Sequence, residues 1–342
     1  MKPAVLITGG AGYIGSHTAY LMKKKGYNVI ILDSLEHKQT FDYNWATCIK
    51  SDFSDEHMLK SICKNYDIKA VMHFAAFIEV GESVKNPLRF YENNVLKTIK
   101  FLKIMIEHDV KKFIFSSSCA VYGNPQYLPL TEDHPKSPIS PYGKNKYIVE
   151  MALQDFAHAY GLEYISLRYF NAAGAKPEYG LGEKHDPETH LIPLILRAAM
   201  QHKPFYVFGT DYQTKDGSCI RDYIHVWDLA EAHWLAFEYL NSGNPSDCFN
   251  LGTGAGFSVN ELVSAVEKIC RLKIKILHKN RRKGDPPILI ADPTKAYSVL
   301  EWQPRHSSIE NIIKSAYAFE NMRNLGKNGL NKAKKHQNLT DF

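Results

Sequence analysis

The chain is short of cysteine, and what it has forms no metal-like pattern. Its six, Cys48, Cys63, Cys119, Cys219, Cys248 and Cys270, are scattered with no Cys-x-x-Cys pair. That spacing excludes a thiolate metal ribbon and a disulfide framework and leaves reduced thiols. No apolar run approaches membrane-spanning length, and the opening MKPAVLITGG turns into a strand too early to hold a secretory apolar core. The expected compartment is therefore the cytoplasm, with no membrane partner. Arginine-rich stretches interleaved with aromatics are missing too. The net charge is +6, but the segment from Gly326 to Phe342 carries four lysines against one aspartate, so the body is only mildly basic. Nucleic acid is not an expected partner, and an anionic small molecule accounts for the basic residues as well. There is no internal repeat. What remains is an ordinary composition, 44% hydrophobic and 23% charged over 342 residues, which suits one large or two intimate domains.

Val5-Leu6-Ile7 is a short apolar run leading into Thr8-Gly9-Gly10-Ala11-Gly12-Tyr13-Ile14-Gly15 and then a helical pattern that ends at Gly26. Strand, glycine turn and helix in that order make a dinucleotide cradle. Gly9, Gly12 and Gly15 allow a tight turn, close approach to a pyrophosphate and packing of helix on strand, and the helix start offers free amides to phosphate. The next strand, Val29 to Leu32, ends in Asp33, whose carboxylate can accept hydrogen bonds from a ribose diol and repels a 2′-phosphate. NAD is the expected cofactor.

Strands and helices then alternate. The expected series is strand 46–50, helix 55–66, strand 70–73, a long helix from Pro87 to Glu107, strand 113–116, helix 141–160 and strand 164–167. Such alternation predicts an α/β, Rossmann-type doubly wound parallel sheet with sites at the carboxyl ends of its strands. Asp52, Phe74, Ala75 and Ser118 lie at or just beyond those ends. Past Arg168 the chain grows dense in Gly, Pro and Glu, which marks a smaller C-terminal α/β lobe. The expected division is an NAD-binding domain over 1–170 that also receives 226–251, a substrate lobe over 171–225 and 252–323, and a polar, loosely ordered tail over 324–342.

Ser140-Pro141-Tyr142-Gly143-Lys144-Asn145-Lys146 sets a tyrosine and a lysine one turn apart behind an N-cap serine and a first-turn proline. Tyr142 and Lys146 are expected on one helix face at the edge of a solvent cleft, where a nearby ammonium favours the phenolate and makes a general base of the phenol. Tyr20 and Lys24 repeat the spacing with no such surroundings, so the pair carries meaning only with the rest of the chain.

TGGAGYIGSH, HFAAFIEVGES, FSSSCAVYG, SPYGKNK, LRYFNAAGA, RDYIHVWDLA and RRKGDPP, in this order, resemble the extended short-chain dehydrogenases/reductases, and among them the nucleotide-sugar 4-epimerases. The resemblance covers the chain to about residue 323. It implies a catalytic trio of Ser118, Tyr142 and Lys146, with Ser118 relaying a proton between the sugar 4-hydroxyl and the phenol. For the cofactor it implies contacts from Tyr13, Ile14, Asp33, Asp52, Phe53, Phe74, Ala75, Asn93 and Phe170. For a UDP-hexose it implies Asn171, His190, Leu191, Phe208, Arg221, Tyr223, Arg282, Asp285 and Leu289. Two positions depart from the pattern: Ile78 stands where some members carry a lysine, and His190 where others carry asparagine.

The expected activity is NAD-dependent interconversion of UDP-glucose and UDP-galactose through a 4-keto sugar that turns over in the site, with no metal. Leu289 stands where glucose-restricted members carry tyrosine, which predicts tolerance of UDP-GlcNAc and UDP-GalNAc. A sibling 4,6-dehydratase or decarboxylase would place acidic residues after the strand-end hydroxyl, and here those positions are Cys119 and Ala120. A non-catalytic dinucleotide-binding protein would have lost the trio. A homodimer is expected through helices 87–107 and 141–160, with Phe101, Leu102, Met105, Met151 and Phe156 as the surplus apolar residues.

Overall fold

Alternating strand and helix build the first half of the chain: β1 (Pro3–Thr8), α1 (Tyr13–Lys24), β2 (Asn28–Asp33), β3 (Thr47–Lys50), α2 (Glu56–Asn65), β4 (Asp67–His73), α3 (Val80–Lys85), α4 (Pro87–Tyr91), α5 (Lys97–Glu107), β5 (Lys112–Ser118), α6 (Pro141–Tyr160) and β6 (Glu163–Tyr169). The second half adds β7 (Asn171–Ala173), α7 (Leu191–Met200), β8 (Phe205–Phe208), β9 (Ile220–His225), α8 (Val226–Asn241), β10 (Asp247–Leu251), β11 (Gly256–Ser258), α9 (Val259–Cys270), β12 (Ile276–Lys279), β13 (Ile288–Leu289), α10 (Thr294–Val299) and α11 (Ile309–Gln337). The computed structural model describes residues 3–36, 43–282 and 285–337, with side chains up to residue 325.

Seven parallel strands form the main sheet in the order β10-β6-β5-β4-β1-β2-β3. Their side chains alternate between two cores, as the period of a strand requires. Val5 and Ile7 face one with α1 and α8, through Ala19, Met22, Leu229, Ala236 and Phe237. Leu6 faces the other with α2, α5 and α6, through Leu59, Phe101, Leu102, Met105, Val149 and Leu153. Burial on both faces explains why these strands read as continuous apolar runs. Chain order reverses at β1, between β4 and β2, and ligands of such sheets bind at that crevice. The second lobe hangs on β9, which pairs with β7, β11 and β13, while β8 pairs with β12. A separate apolar core from α7, α9 and α11 covers it.

Three expectations change. The helix expected from Pro87 to Glu107 is broken by a π turn over Glu92–Leu96, where two adjacent asparagines, poor helix formers, stand in the helical pattern. Phe101, Leu102 and Met105 are not surplus: each is fully buried beneath the sheet. Phe156 is partly buried against the same core. Exposed apolar residues of this region include Val84 on α3, Leu88 on α4, Leu96 in the π turn, and Met151 and Tyr160 on α6. Finally, α11 continues to Gln337 through the stretch expected to be loose. Its first turns are seated by Ile312, Ile313 and Ala316 in the second core, and helix extension from an anchored start is far cheaper than nucleation. Residues 338–342 of that tail lie outside the described residues.

Candidate active site

At the C-terminal end of β1 the chain turns through Gly9, with φ of 70°. A Cβ on Gly9 would lie 2.6 Å from the backbone nitrogen of Ala75, and one on Gly15 2.3 Å from the Gly9 carbonyl oxygen. Both glycines are required by close backbone approach. Gly12 caps α1 without a side-chain bond, so the first amides of the helix stay available to an anion. Asp33 ends β2, where its Oδ2 accepts from Ala11 N at 3.0 Å and its Oδ1 from Leu35 N at 2.9 Å. A glycine cradle, an uncapped helix start and a carboxylate at the neighbouring strand end fit a dinucleotide. Tyr13 supplies its backbone to this turn, whereas its buried phenol donates to the Gly174 carbonyl at 2.6 Å and ties the cradle to the second lobe.

The remaining expected cofactor residues sit around the same crevice with different commitments. Asp52 accepts from Lys97 Nζ at 2.5 Å and from Ser54 Oγ at 2.7 Å. Burial opposes its charge, but these bonds prevail and hold its carboxyl below the usual range. Phe53 is buried in the core, edge-on to His73. Phe74 lies against His233 with centroids 4.6 Å apart, and Ile14 packs partly buried on the adjoining core. Asn93 donates to Asn94 at 3.0 Å. Asn94, which sequence reasoning passed over, clamps the Phe77 backbone through two bonds of 2.9 Å. Its signal was the asparagine pair inside a helical pattern.

Ser118 closes β5, and its hydroxyl accepts from Ala120 N at 3.2 Å to cap a single turn over Cys119–Val121. Helix α6 starts beside this turn. Ser140 caps it, accepting from Gly143 N at 3.1 Å, and Gly161 ends it in the left-handed conformation. A Cβ at Gly143 would stand 2.5 Å from the Ala120 carbonyl, so only glycine lets the helix approach this closely. That approach brings the Tyr142 phenol next to the Ser118 hydroxyl, close enough for Ser118 to favour the phenolate. Ser118, Tyr142 and Lys146 are 9%, 8% and 4% exposed, so the phenol does not open onto solvent as the sequence suggests. Phe77 and Phe90 pack around it, with Ile78 and Ala120 at the margin.

The electrostatics also differ from the simple expectation. Lys146 Nζ donates to the Ser116 carbonyl at 2.7 Å and lies 5.8 Å from the centre of the Tyr142 ring. Burial pushes the Tyr142 phenol well above its ordinary value, the Tyr169 phenol adds to this, and the Ser118 bond works against it. Burial pulls the Lys146 ammonium down to about 7, with Glu150 opposing. One helical turn places the two groups on the same face, but desolvation outweighs their mutual effect. Glu150, one turn beyond Lys146, forms a buried two-pronged pair with Arg168 at 2.6 and 2.9 Å and accepts from Ser117 Oγ at 2.5 Å. Sequence reasoning missed it, although a lone glutamate on the apolar stretch of α6 was its signal.

Across the crevice, β9 carries Arg221 and Tyr223. Arg221 pairs with Asp285, its Nη1 donates to the Ile220 carbonyl at 2.7 Å, and Leu289 is its register partner on β13. Tyr223 is buried, beside Asn171 in the β7–β9 register. The Arg282 guanidinium lies 4.1 Å from the centre of the Phe208 ring. Lys283 and Gly284 of the same motif lie outside the described residues. Leu289 packs with Phe170 and Cys119, the residue after Ser118, which joins this wall to the trio. Leu191 opens α7, and His190 just before it turns Nδ1 to within 2.5 Å of Glu183 Oε1.

A dinucleotide cradle at the switch point of a parallel sheet, a buried tyrosine and lysine on the following wall and a basic second lobe define a Rossmann-type enzyme acting on an anionic small molecule. The chain belongs to the NAD dependent epimerase/dehydratase family, which it matches over residues 5–252. It is 47% identical to the UDP-glucose 4-epimerase of Halalkalibacterium halodurans over 92% of this chain and 94% of that one. Its structure is similar to UDP-glucose 4-epimerase from Brucella ovis in complex with NAD, with a TM-score of 0.89, 44% identity and coverage of 93% and 98%. It is also similar to the UDP-Glc/GlcNAc 4-epimerase of Campylobacter jejuni, with a TM-score of 0.80, 39% identity and coverage of 94% and 100%.

Proposed function

We propose that this chain interconverts UDP-glucose and UDP-galactose at C4 in the manner of the relatives it matches, with NAD held over 1–170 and the UDP-sugar in the lobe beyond it. The observation that carries the reading is the buried trio of Ser118, Tyr142 and Lys146 beside a cradle that fits a dinucleotide. NAD, when bound, supplies the acceptor and donor for the C4 hydrogen. Gly9, Gly12, Gly15 and the backbone of Tyr13 and Ile14 would hold its pyrophosphate, Asp33 its adenosine ribose, and Asp52, Phe53, Phe74, Ala75, Asn93 and Phe170 the rest of its outline.

Ser118 passes the proton of the sugar 4-hydroxyl to Tyr142 and returns it to the same oxygen once the 4-keto sugar has turned, so that the C4 hydrogen would come back on the opposite face. A phenol raised by burial is a poor base, so Tyr142 needs a cation beside it in the loaded site; Lys146 and the positive cofactor ring are the two at hand. Arg221 and Arg282 grip the diphosphate, and Phe208, Asn171, Leu191 and Tyr223 border the nucleoside. Because Arg221 is paired with Asp285, substrate must compete for it, and Asp285 is released toward the uridine ribose. His190 stands apart, with Nδ1 committed to Glu183. Leu289 walls the sugar, and its short apolar side chain leaves room for a 2-acetamido group, as a relative described as a UDP-Glc/GlcNAc 4-epimerase also suggests.

Cys119 bears on the sibling chemistries. Burial pushes its thiol up to about 12, so at neutral pH it is neither acid nor base for removing water or carbon dioxide. The deciding experiment incubates purified protein with UDP-galactose and identifies products by chromatography. UDP-glucose should form, and the same mixture should be reached from either sugar. A one-way product with a conjugated-carbonyl absorbance, or no turnover with NAD present, would reject the reading.

A further inference from the structure

Outside the trio, one segment gathers four metal-ligating side chains. Glu183, His185, Glu188 and His190, in the connection from β7 to α7, bring one ligand atom each to within 4.8 Å of one another. His185 Nδ1 and His190 Nδ1 lie 2.9 and 2.5 Å from the same oxygen, Glu183 Oε1, and His190 Nδ1 lies 3.5 Å from Glu188 Oε1. The carboxylates are deeply placed, with side chains 5% and 2% exposed for Glu183 and Glu188. Two buried anions converging on one point demand positive charge.

The guanidiniums nearby do not supply it to Glu183. Arg197 bridges Glu188 Oε2 at 3.0 Å and Glu320 at 2.9 Å, and Arg323 pairs with Glu320 at 3.1 Å while reaching only the backbone carbonyl of Glu183. The Glu183 carboxylate therefore faces imidazoles. Glu188 is divided in a similar way: its Oε2 lies 3.0 Å from Arg197, while its Oε1 is turned toward the imidazole of His190 at 3.5 Å.

We propose that Glu183, His185, Glu188 and His190 form a structural site for a zinc-class divalent cation. Two imidazoles and two carboxylates suit zinc better than calcium or magnesium, which prefer all-oxygen shells. Four protein ligands close the shell, which is the mark of a structural rather than a catalytic ion. Tetrahedral zinc with ligands at about 2.1 Å holds its donors roughly 3.4 Å apart. The present separations reach that by shifts of about 1.5 Å or less, within side-chain rotation. The ion would pin the connection that delivers Leu191 and α7 to the second lobe. This site is independent of the epimerase reading.

The test uses the full chain, untagged so that no histidine tag competes, expressed with zinc and purified without chelator. Metal analysis by mass spectrometry should find about one zinc per chain. Chelation should lower the unfolding midpoint, and zinc chloride should restore it. His185→Gln, which can still hydrogen-bond Glu183, should weaken zinc at least ~10²-fold, while the exposed His202→Ala leaves it unchanged. Should His185→Gln fail to fold, cobalt(II) in the stripped wild type decides, since a four-coordinate site gives intense visible bands and a hydrated surface ion does not. Absence of zinc and of those bands, or zinc binding untouched by His185→Gln, overturns the site.

Discussion

The phenol of Tyr142 reaches Ser118 in a pocket lined by Phe77 and Phe90, so Tyr142→Phe removes a proton-bearing oxygen while keeping the ring that fills the space. Turnover should fall about 10² to 10⁴-fold with folding and nucleotide binding intact; activity within about threefold of wild type would take Tyr142 out of the chemistry. Lys146 has a separate signature. Its pKa is lowered by burial from 10.5 to about 7, so between those values the unfolded chain holds a proton that the folded chain has released. Stability at this site therefore rises with pH through that window, and the cost of the buried ammonium is present in full below it. Lys146→Met should gain most relative to wild type near pH 6 and progressively less toward about pH 10, read by urea denaturation. Its turnover should drop and recover partly as pH rises, because the phenol then lacks a cation; an unchanged pH–rate profile would assign Lys146 another role. Leu289 makes a third case. Leu289→Tyr should cut the UDP-GlcNAc to UDP-glucose rate ratio by about tenfold or more, since a ring there occupies the acetamido space. A ratio left untouched would show that another residue is the gate.

Elements explain what sequence could and could not give. Helix α6 was legible to the residue, Pro141 to Tyr160, because serine, proline and glycine sit where an N-cap, a first turn and a left-handed end require them. The π turn over Glu92–Leu96 was not, because hydrophobic periodicity cannot register one extra residue in a turn. The short strands β7, β11, β12 and β13 were also hidden: two to four residues are too few to display a period, and partners far along the chain decide them. Charged groups failed differently. Motifs identified Lys146, but only packing revealed that Glu150 and Arg168 pair beneath it, fastening α6 to β6. Glu150→Gln strands Arg168 in the interior and should cost about 3–5 kcal/mol, seen as a lower denaturant midpoint with an unchanged slope. A loss under about 1 kcal/mol would mean that water reaches the guanidinium.

For the whole molecule, the doubly wound sheet and its crevice were readable from alternation and glycine placement, whereas the burial of Phe101, Leu102 and Met105 was misjudged because helical apolar residues do not announce which of two faces they cover. Val84 on α3, Leu88 on α4, Leu96 in the π turn and Met151 on α6 remain exposed, and we infer a homodimer closed by these residues in place of Phe101, Leu102 and Met105. Light scattering at micromolar concentration should give twice the chain mass, and Leu88→Glu with Leu96→Glu should return it to one; a wild-type monomer would dismiss the interface. The strand order has a further reach, into biosynthesis. Strand β10 completes the edge of the main sheet beside β6, and α8 roofs one of its faces, yet both are made only after β7, α7, β8 and β9. A nascent chain that has just released β6 from the ribosome thus carries Ile114, Ile165 and Leu167 with no roof, and must wait for the first part of the second lobe, β7 to β9, to be synthesised before α8 and β10 seal its own sheet. The nucleotide half should consequently be insoluble when expressed alone to residue 170, and translation pauses before residue 251 should raise the share of chain captured by chaperones.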